Sequence, residues 1–440
     1  MMALQFLVVL AAIFLGARLG GIGIGFAGGL GVLVLALLGV TPGDMPLEVV
    51  SIIMSVIAAI AAMQVAGGMD YLVDLADRAL RKNPKYLNFL APLITYLMTI
   101  MAGTGHTAFS TMPVITEVAK ENDIRPSRPL SIAVVASQIA ITASPISAAV
   151  VFFSGMLEEA GTGVDYITLL MVAIPSTFFA CMATAAIMMG IDRVRGTSKL
   201  STLPEYQRRL EAGTVAPPTG RTEREITKGA RLSVLIFCLG LLTVMTYATI
   251  ISDKVGLVEE PVMGRDAAII SIMLGVAAII VMVGKVQTSE ILGASTFKSG
   301  MSAAICVLGV AWLGTTFVKA HEEAILTASG DLLRDNTWLL AVILVFAAAL
   351  LYSQAATSKA LMPLAVAAGV SPLGMVAAFP AVSALFILPT YPTLLAAVEM
   401  DDTGSTQIGK AIFNHPFLVP GLINIAIAVA LGYGFGVLAI

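Results

Sequence analysis

The chain has 440 residues, 58% hydrophobic and 12% charged, with a mean hydropathy of +0.93 and a formal net charge of −3. That balance excludes a soluble globular domain, supplies no basic surface for nucleic acid, and leaves an all-α polytopic membrane protein surrounded by the lipid bilayer. Cys181, Cys238 and Cys306 all sit inside apolar runs, and His106, His321 and His415 lie far apart. Neither set has metal-ligand spacing, so the expectation is no metal, no cofactor and no disulfide framework. No Lys or Arg precedes Arg18 and no small-residue cleavage site follows the first apolar run, which is therefore read as a membrane helix rather than a signal peptide.

Runs of roughly 20 apolar residues mark the spans. In chain order they are 4–19, 20–40 and 47–66, followed by an amphipathic stretch over 69–83. Next come two arms, 84–102 and 107–120, joined at Gly103-Thr104-Gly105-His106. The second arm reaches only roughly 20 Å, short of a hydrocarbon core about 30 Å thick. Residues 84–120 are thus expected to enter the membrane and return as a hairpin. Residues 130–153 cross with a break at Ser144-Pro145, and 166–190 cross without one.

The charged stretch 191–227, with adjacent Pro217 and Pro218, reads as a cytoplasmic linker. After it the same parts return: spans 228–251, 266–284 and 298–318, then an amphipathic segment over 319–329. A second hairpin, 336–368, turns at Ser353-Gln354-Ala355-Ala356. Residues 372–398 cross with a break at Leu388-Pro389-Thr390-Tyr391-Pro392-Thr393, and 415–439 close the chain. Gly67 to Pro145 and Gly314 to Pro392 are both 78 residues apart, and Met112-Pro113 answers Met362-Pro363. The two halves, 1–190 and 228–440, therefore read as a repeat. Five crossings per half is an odd number, so the second half is inverted. The expected fold is an inverted repeat of ten full transmembrane helices with two re-entrant hairpins and two broken helices.

Loop charges orient it. Lys254, Arg265, Lys319 and Arg334 fall on one side, Lys359 falls inside the second hairpin, and all the rest of the 25 Lys and Arg fall on the other side. The positive-inside rule makes that richer side cytoplasmic and both termini periplasmic.

Non-helical backbone at membrane depth is tolerated only where protein or a polar cavity satisfies it, so two tips and two breaks rich in hydroxyls indicate a solute site near the midplane. Helices that start there present free N–H groups and the positive end of a dipole, which favours an anion. Two symmetry-related tips facing one cavity suit a dicarboxylate. The candidate substrate ligands are Thr104, Gly105, His106, Thr107, Ser144, Pro145, Ser147, Ser353, Gln354, Thr357, Lys359, Thr390 and Thr393. For the hydroxyls the competing role is capping of freed backbone groups. For Lys359 it is snorkelling to the interface. His106 and Ser110 could be offered as the base and nucleophile of a hydrolase, but no orienting acid or oxyanion hole accompanies them. Gly23-Ile-Gly25-Phe-Ala-Gly28 matches a dinucleotide fingerprint without its preceding strand. Helix packing through Gly21, Gly25 and Gly29 is expected instead.

The strings FLGARLGGIGIGFAGGLGVLVLA, AGTGHTAFSTMPVI, RPSRPLSIAVVASQIAITASPISAAVVFF, LLYSQAATSKALMP and FILPTYPTLLAAVEMDDTG closely resemble the anaerobic C4-dicarboxylate transporters, the DcuA/DcuB branch of the Dcu family. The resemblance implies a carrier in the bacterial cell inner membrane for fumarate, succinate, malate and aspartate, exchanging fumarate for succinate, and leaves room for a regulatory sensor partner. The order of parts also resembles a wider ion-transporter superfamily, which implies a homodimer with a scaffold domain and a moving transport domain. Sodium-coupled members carry Ser-Asn-Thr at their hairpin tips. Here Thr104-Gly105-His106 and Ser353-Gln354-Ala355 stand in those positions, so sodium coupling is not implied by the tips; the alternatives to exchange are a proton- or sodium-coupled dicarboxylate symporter and an anion channel.

Overall fold

The computed structural model describes all residues except 1, 20, 21, 46, 216–224, 252–256, 259, 260, 352, 389, 390 and 410–412; some helical side chains, those of His106 and 322–335 among them, are likewise outside the described residues. Among the described residues the chain is helical, with one isolated backbone bridge between Ile124 and Lys199 and no strand. Among the described residues six helical stretches are long and apolar enough to cross a membrane, or seven if a pair bent by 69° counts as one span. The protein is a multi-pass membrane protein.

The first three helices are α1 (Met2–Leu19), α2 (Gly23–Leu37) and α3 (Leu47–Val65). The chain then bends at Gly67 into α4 (Gly68–Lys82), the expected amphipathic segment. The first hairpin is α5 (Leu87–Ala102) and α6 (Ala108–Glu121). The first broken helix is α7 (Ser127–Ile139), a 3-10 turn over Ala140–Ala143, and α8 (Ala148–Glu159). Next come α9 (Tyr166–Arg195) and the short α10 (Pro204–Glu211). The second set runs α11 (Lys228–Ile250), α12 (Arg265–Gly284), α13 (Thr288–Gly293) and α14 (Ser295–Asp335), then the hairpin α15 (Trp338–Leu351) and α16 (Gln354–Ala367). The chain ends with α17 (Pro372–Ala378), a 3-10 turn over Phe379–Ser383, α18 (Pro392–Met400) and α19 (Leu418–Ala439).

Several boundaries differ from expectation for identifiable reasons. The second break opens at Ala384 rather than Leu388, because the helix has already tightened to a 3-10 turn at Phe379–Ser383, where Pro380 has no N–H to give to an α-helical bond. Helix α9 runs five residues into the expected linker and stops at Gly196, which adopts φ 66°. The expected third span of the second half and its amphipathic segment form one helix, α14, kinked at His321, where φ is −130° and ψ 17°.

Helices α1, α2, α3, α11, α12 and α14 pack chiefly on one another, and α5 to α9 pack with α15 to α19. The pairing of α14 with α16 is the broadest contact between these two bundles. In lipid, apolar side chains gain little by leaving the solvent, so close backbone approach carries such contacts. Gly25 and Gly28 of α2 lie directly against the backbone of Ile305 and Gly309 on α14, where a Cβ would overlap. Of the three glycines expected to pack, Gly25 does so; Gly29 faces open space, Gly28 takes its role, and Gly21 lies outside the described residues. In the second bundle Phe153 and Phe379 pack with ring centroids 4.5 Å apart. Large apolar side chains such as Phe26, Leu33 and Leu242 point outward, as a lipid-facing surface requires.

Candidate functional site

The first hairpin tip is built by two glycines. Gly103 ends α5 at φ 64°, a left-handed conformation that costs glycine little, and its N–H bonds the Thr99 carbonyl at 2.8 Å. Gly105 starts the 3-10 turn Gly105–Thr107, and a Cβ there would stand 3.2 Å from the Ser137 carbonyl of α7. The tip therefore sits directly on the first broken helix. Paired threonines hold the arms together: the hydroxyls of Thr99 and Thr107 are 2.8 Å apart and those of Thr95 and Thr111 are 3.1 Å apart, all four buried. Thr107 also donates to the Thr104 carbonyl at 3.3 Å. The backbone of His106 lies in the 3-10 turn, whereas its side chain and all of Thr390 lie outside the described residues.

At the first break Ser144 is extended, and its hydroxyl donates to the Ile100 carbonyl near the end of α5 at 2.7 Å. The Pro145 carbonyl accepts from the Tyr166 hydroxyl at 2.5 Å. Ser147 caps α8, accepting from the Val150 N–H at 3.2 Å and donating to the Ile141 carbonyl at 2.7 Å. The second hairpin does the same: Ser353 accepts from the Ala356 N–H at 3.1 Å, and Thr357 donates to the Ser353 carbonyl at 2.8 Å. The protons of Ser144 and Ser147 thus go to main-chain carbonyls beside the first break, and that of Thr357 to the carbonyl one turn back on its own helix.

Gln138, which sequence reasoning missed, joins the two halves. Its main-chain carbonyl accepts from Gln354 Nε2 at 3.1 Å, and its own Nε2 lies 3.4 Å from Thr393 Oγ1 in the first turn of α18. The only local signal of Gln138 is a carboxamide beside Ser137 in the largely apolar end of α7, which a packing residue would give equally. Helix α7 and its 3-10 extension thus receive the first tip through Gly105, the second tip through Gln354 and the second break through Thr393.

Lys359 is 0% exposed, and its Nζ has no hydrogen-bond partner among the described residues. Burial on that scale excludes snorkelling. The ammonium lies 5.1 Å from the centroid of Phe152 on α8, a cation–π contact, while the Lys359 carbonyl borders Gly314 of α14. Five residues on from Gln354, it stands on a different side of α16, where the two bundles meet.

At the end of the molecule bearing Arg125 and Arg128, a cavity of about 540 Å³ is lined by those two, Asp192, Ser405, Asn414 and His415. Arg128 grips Asp192 with two bonds, 2.5 and 2.6 Å. His415 Nε2 stands 3.3 Å from the Ile387 carbonyl, so this cavity runs from the basic end towards the second break.

A membrane chain with four backbone interruptions gathered on one helix can be compared with known proteins. The profile described as anaerobic C4-dicarboxylate membrane transporter, DcuA_DcuB, matches residues 1–440. The chain belongs to this family. A C4-dicarboxylate transporter DcuA of Wolinella succinogenes is 60% identical over 434 residues, covering 98% of each chain, and one of Escherichia coli K12 is 57% identical over 436 residues, covering 99% of each. An anaerobic C4-dicarboxylate transporter DcuB of Escherichia coli O6:H1 is 34% identical over 440 residues, covering 98% of each chain. These Dcu relatives are transporters and not enzymes. The YdaH transporter of Alcanivorax borkumensis, whose crystal structure is described as having an unusual topology, aligns over 99% of this chain and 97% of its own at 15% identity and TM-score 0.54. That likeness concerns the fold alone.

Proposed function

We propose that this chain is a C4-dicarboxylate carrier of the bacterial inner membrane that exchanges fumarate for succinate, and also takes malate and aspartate, by alternating access. The observation that carries this reading is the meeting of both hairpin tips and the second break on α7 and its 3-10 extension, which forms a single buried polar centre inside an apolar protein. Substrate is held there by N–H groups at the starts of α6, α8, α16 and α18, in a site lined by Thr104, Gly105, His106, Thr107, Ser144, Pro145, Ser147, Ser353, Gln354, Thr357, Thr390 and Thr393. Lys359 supplies the full positive charge that hydroxyls and dipoles lack.

The residues 1–190 and 228–440 act as inverted halves with both termini periplasmic. Bundle α5–α9 with α15–α19 moves against a scaffold of α1, α2, α3, α11, α12 and α14, and scaffolds pair in a homodimer. Exchange needs no sodium. The test is uptake of labelled succinate into proteoliposomes loaded with fumarate, succinate, malate, aspartate or nothing. Uptake that requires an internal C4 acid is expected. Uptake independent of the internal solute would refute exchange, and no uptake of any C4 acid would refute the substrate class.

A further inference from the structure

Gln138 stands two residues before the 3-10 turn that opens the first break, with 1% of its surface exposed. Its Nε2 is directed at Thr393 Oγ1, and its main-chain carbonyl is taken by Gln354. Its Oε1 is buried and has no hydrogen-bond partner among the described residues. A buried acceptor without a donor is costly and uncommon, and it marks a point where a donor belongs. A carboxylate cannot be that donor, because both of its oxygens accept and both repel a carbonyl oxygen. The donor that a four-carbon dicarboxylate can offer lies on C2: the ammonium of an amino acid or the hydroxyl of a hydroxy acid. Fumarate and succinate have no such group.

We propose that Gln138 reads the C2 position of the substrate, its Oε1 accepting a hydrogen bond from a C2 ammonium or hydroxyl. The residue thereby favours amino- and hydroxy-dicarboxylates over unsubstituted ones. Thr393 and Gln354 fix its orientation from the second break and the second hairpin, so the acceptor is held in place by the elements that surround the ligand. Unsubstituted acids leave Oε1 without a partner and bind without this bond. The inference rests on the C4-dicarboxylate reading and adds to it the residue that discriminates within the class.

The test uses the full-length chain in liposomes exchanging labelled succinate, with unlabelled L-aspartate, L-malate and fumarate as competitors. In Gln138→Met, which keeps most of the volume and loses the acceptor, inhibition by aspartate and malate should weaken about tenfold relative to inhibition by fumarate. In Gln138→Glu, which keeps an acceptor and adds charge, aspartate should retain its advantage over fumarate. Succinate exchange in the same vesicles reports folding. Equal weakening of all competitors, or unchanged ratios in Gln138→Met, would overturn the assignment. If Gln138→Met exchanges nothing, a fall in the aspartate-to-fumarate ratio of Gln138→Glu overturns it and a retained ratio supports it. A wild-type protein that exchanges no C4 acid would instead overturn the transport reading, and this inference with it.

Discussion

Replacing Lys359 separates function from stability. Its ammonium is wholly buried and lies over the face of Phe152 at 5.1 Å, with no hydrogen-bond partner among the described residues. An ion left unpaired in a protein interior costs several kcal/mol, whereas an apolar side chain of similar volume at a buried charged site is often neutral or stabilising by about 1–4 kcal/mol. Lys359→Met should therefore leave the melting temperature of the empty protein unchanged or raise it. The same change removes a charge-assisted contact to a substrate carboxylate, worth about 1.5–3 kcal/mol, or about ten- to a hundredfold in affinity. Lys359→Arg keeps the charge, but its planar head does not fit the space of a compact ammonium, so weakened exchange should persist. Thermal unfolding of the purified variants and succinate exchange in liposomes measure the two effects. Normal exchange and normal succinate affinity in Lys359→Met would refute the argument, and so would a large loss of stability, because Lys359 would then be part of the packing rather than a group held against its own desolvation cost.

The Ser144 hydroxyl is engaged with the Ile100 carbonyl at 2.7 Å, so Ser144→Ala leaves a buried acceptor without its donor and should cost about 1–3 kcal/mol of stability; a melting temperature equal to wild type would count against this. Exchange should proceed equally in sodium and in choline buffers, since the tips carry Thr104-Gly105-His106 and Ser353-Gln354-Ala355; loss of transport in choline at saturating succinate would disprove it. Glu205 of α10 accepts bonds from Arg209 and Arg208, which hold its carboxyl below the usual carboxylate range. A depressed carboxyl contributes stability above its unfolded pKa and loses it as pH falls through the folded value, so α10, held to the Asp402 carbonyl through Arg209, should exchange its amide hydrogens faster only below the usual carboxylate range. Unchanged protection of 204–211 on acidification would contradict that link.

Whatever depends on length, hydropathy and backbone-breaking residues was legible in the chain, because those properties act locally. The short second arm of each hairpin, the glycines at the first tip and the serine and proline at the first break correspond to helix ends within a few residues. The second break starts earlier than the prolines at 389 and 392 suggest because Pro380, with no N–H to give, already tightens the chain to a 3-10 turn at Phe379–Ser383. What was not legible concerns partners far apart in sequence. That Ser144 gives its proton to Ile100, 44 residues away, is not legible from its neighbours, and Lys359 reads as a snorkelling anchor until α8 and α14 close around it. Gln138 illustrates the limit most clearly. One carboxamide in a helix can be a packing residue or a polar ligand, and nothing local decides between them; the decision comes from Gln354 and Thr393, more than 200 residues away, which engage two of its groups and leave the third without a donor. In an apolar solvent an unsatisfied atom beside two long-range bonds is the informative one, since those bonds fix where it points.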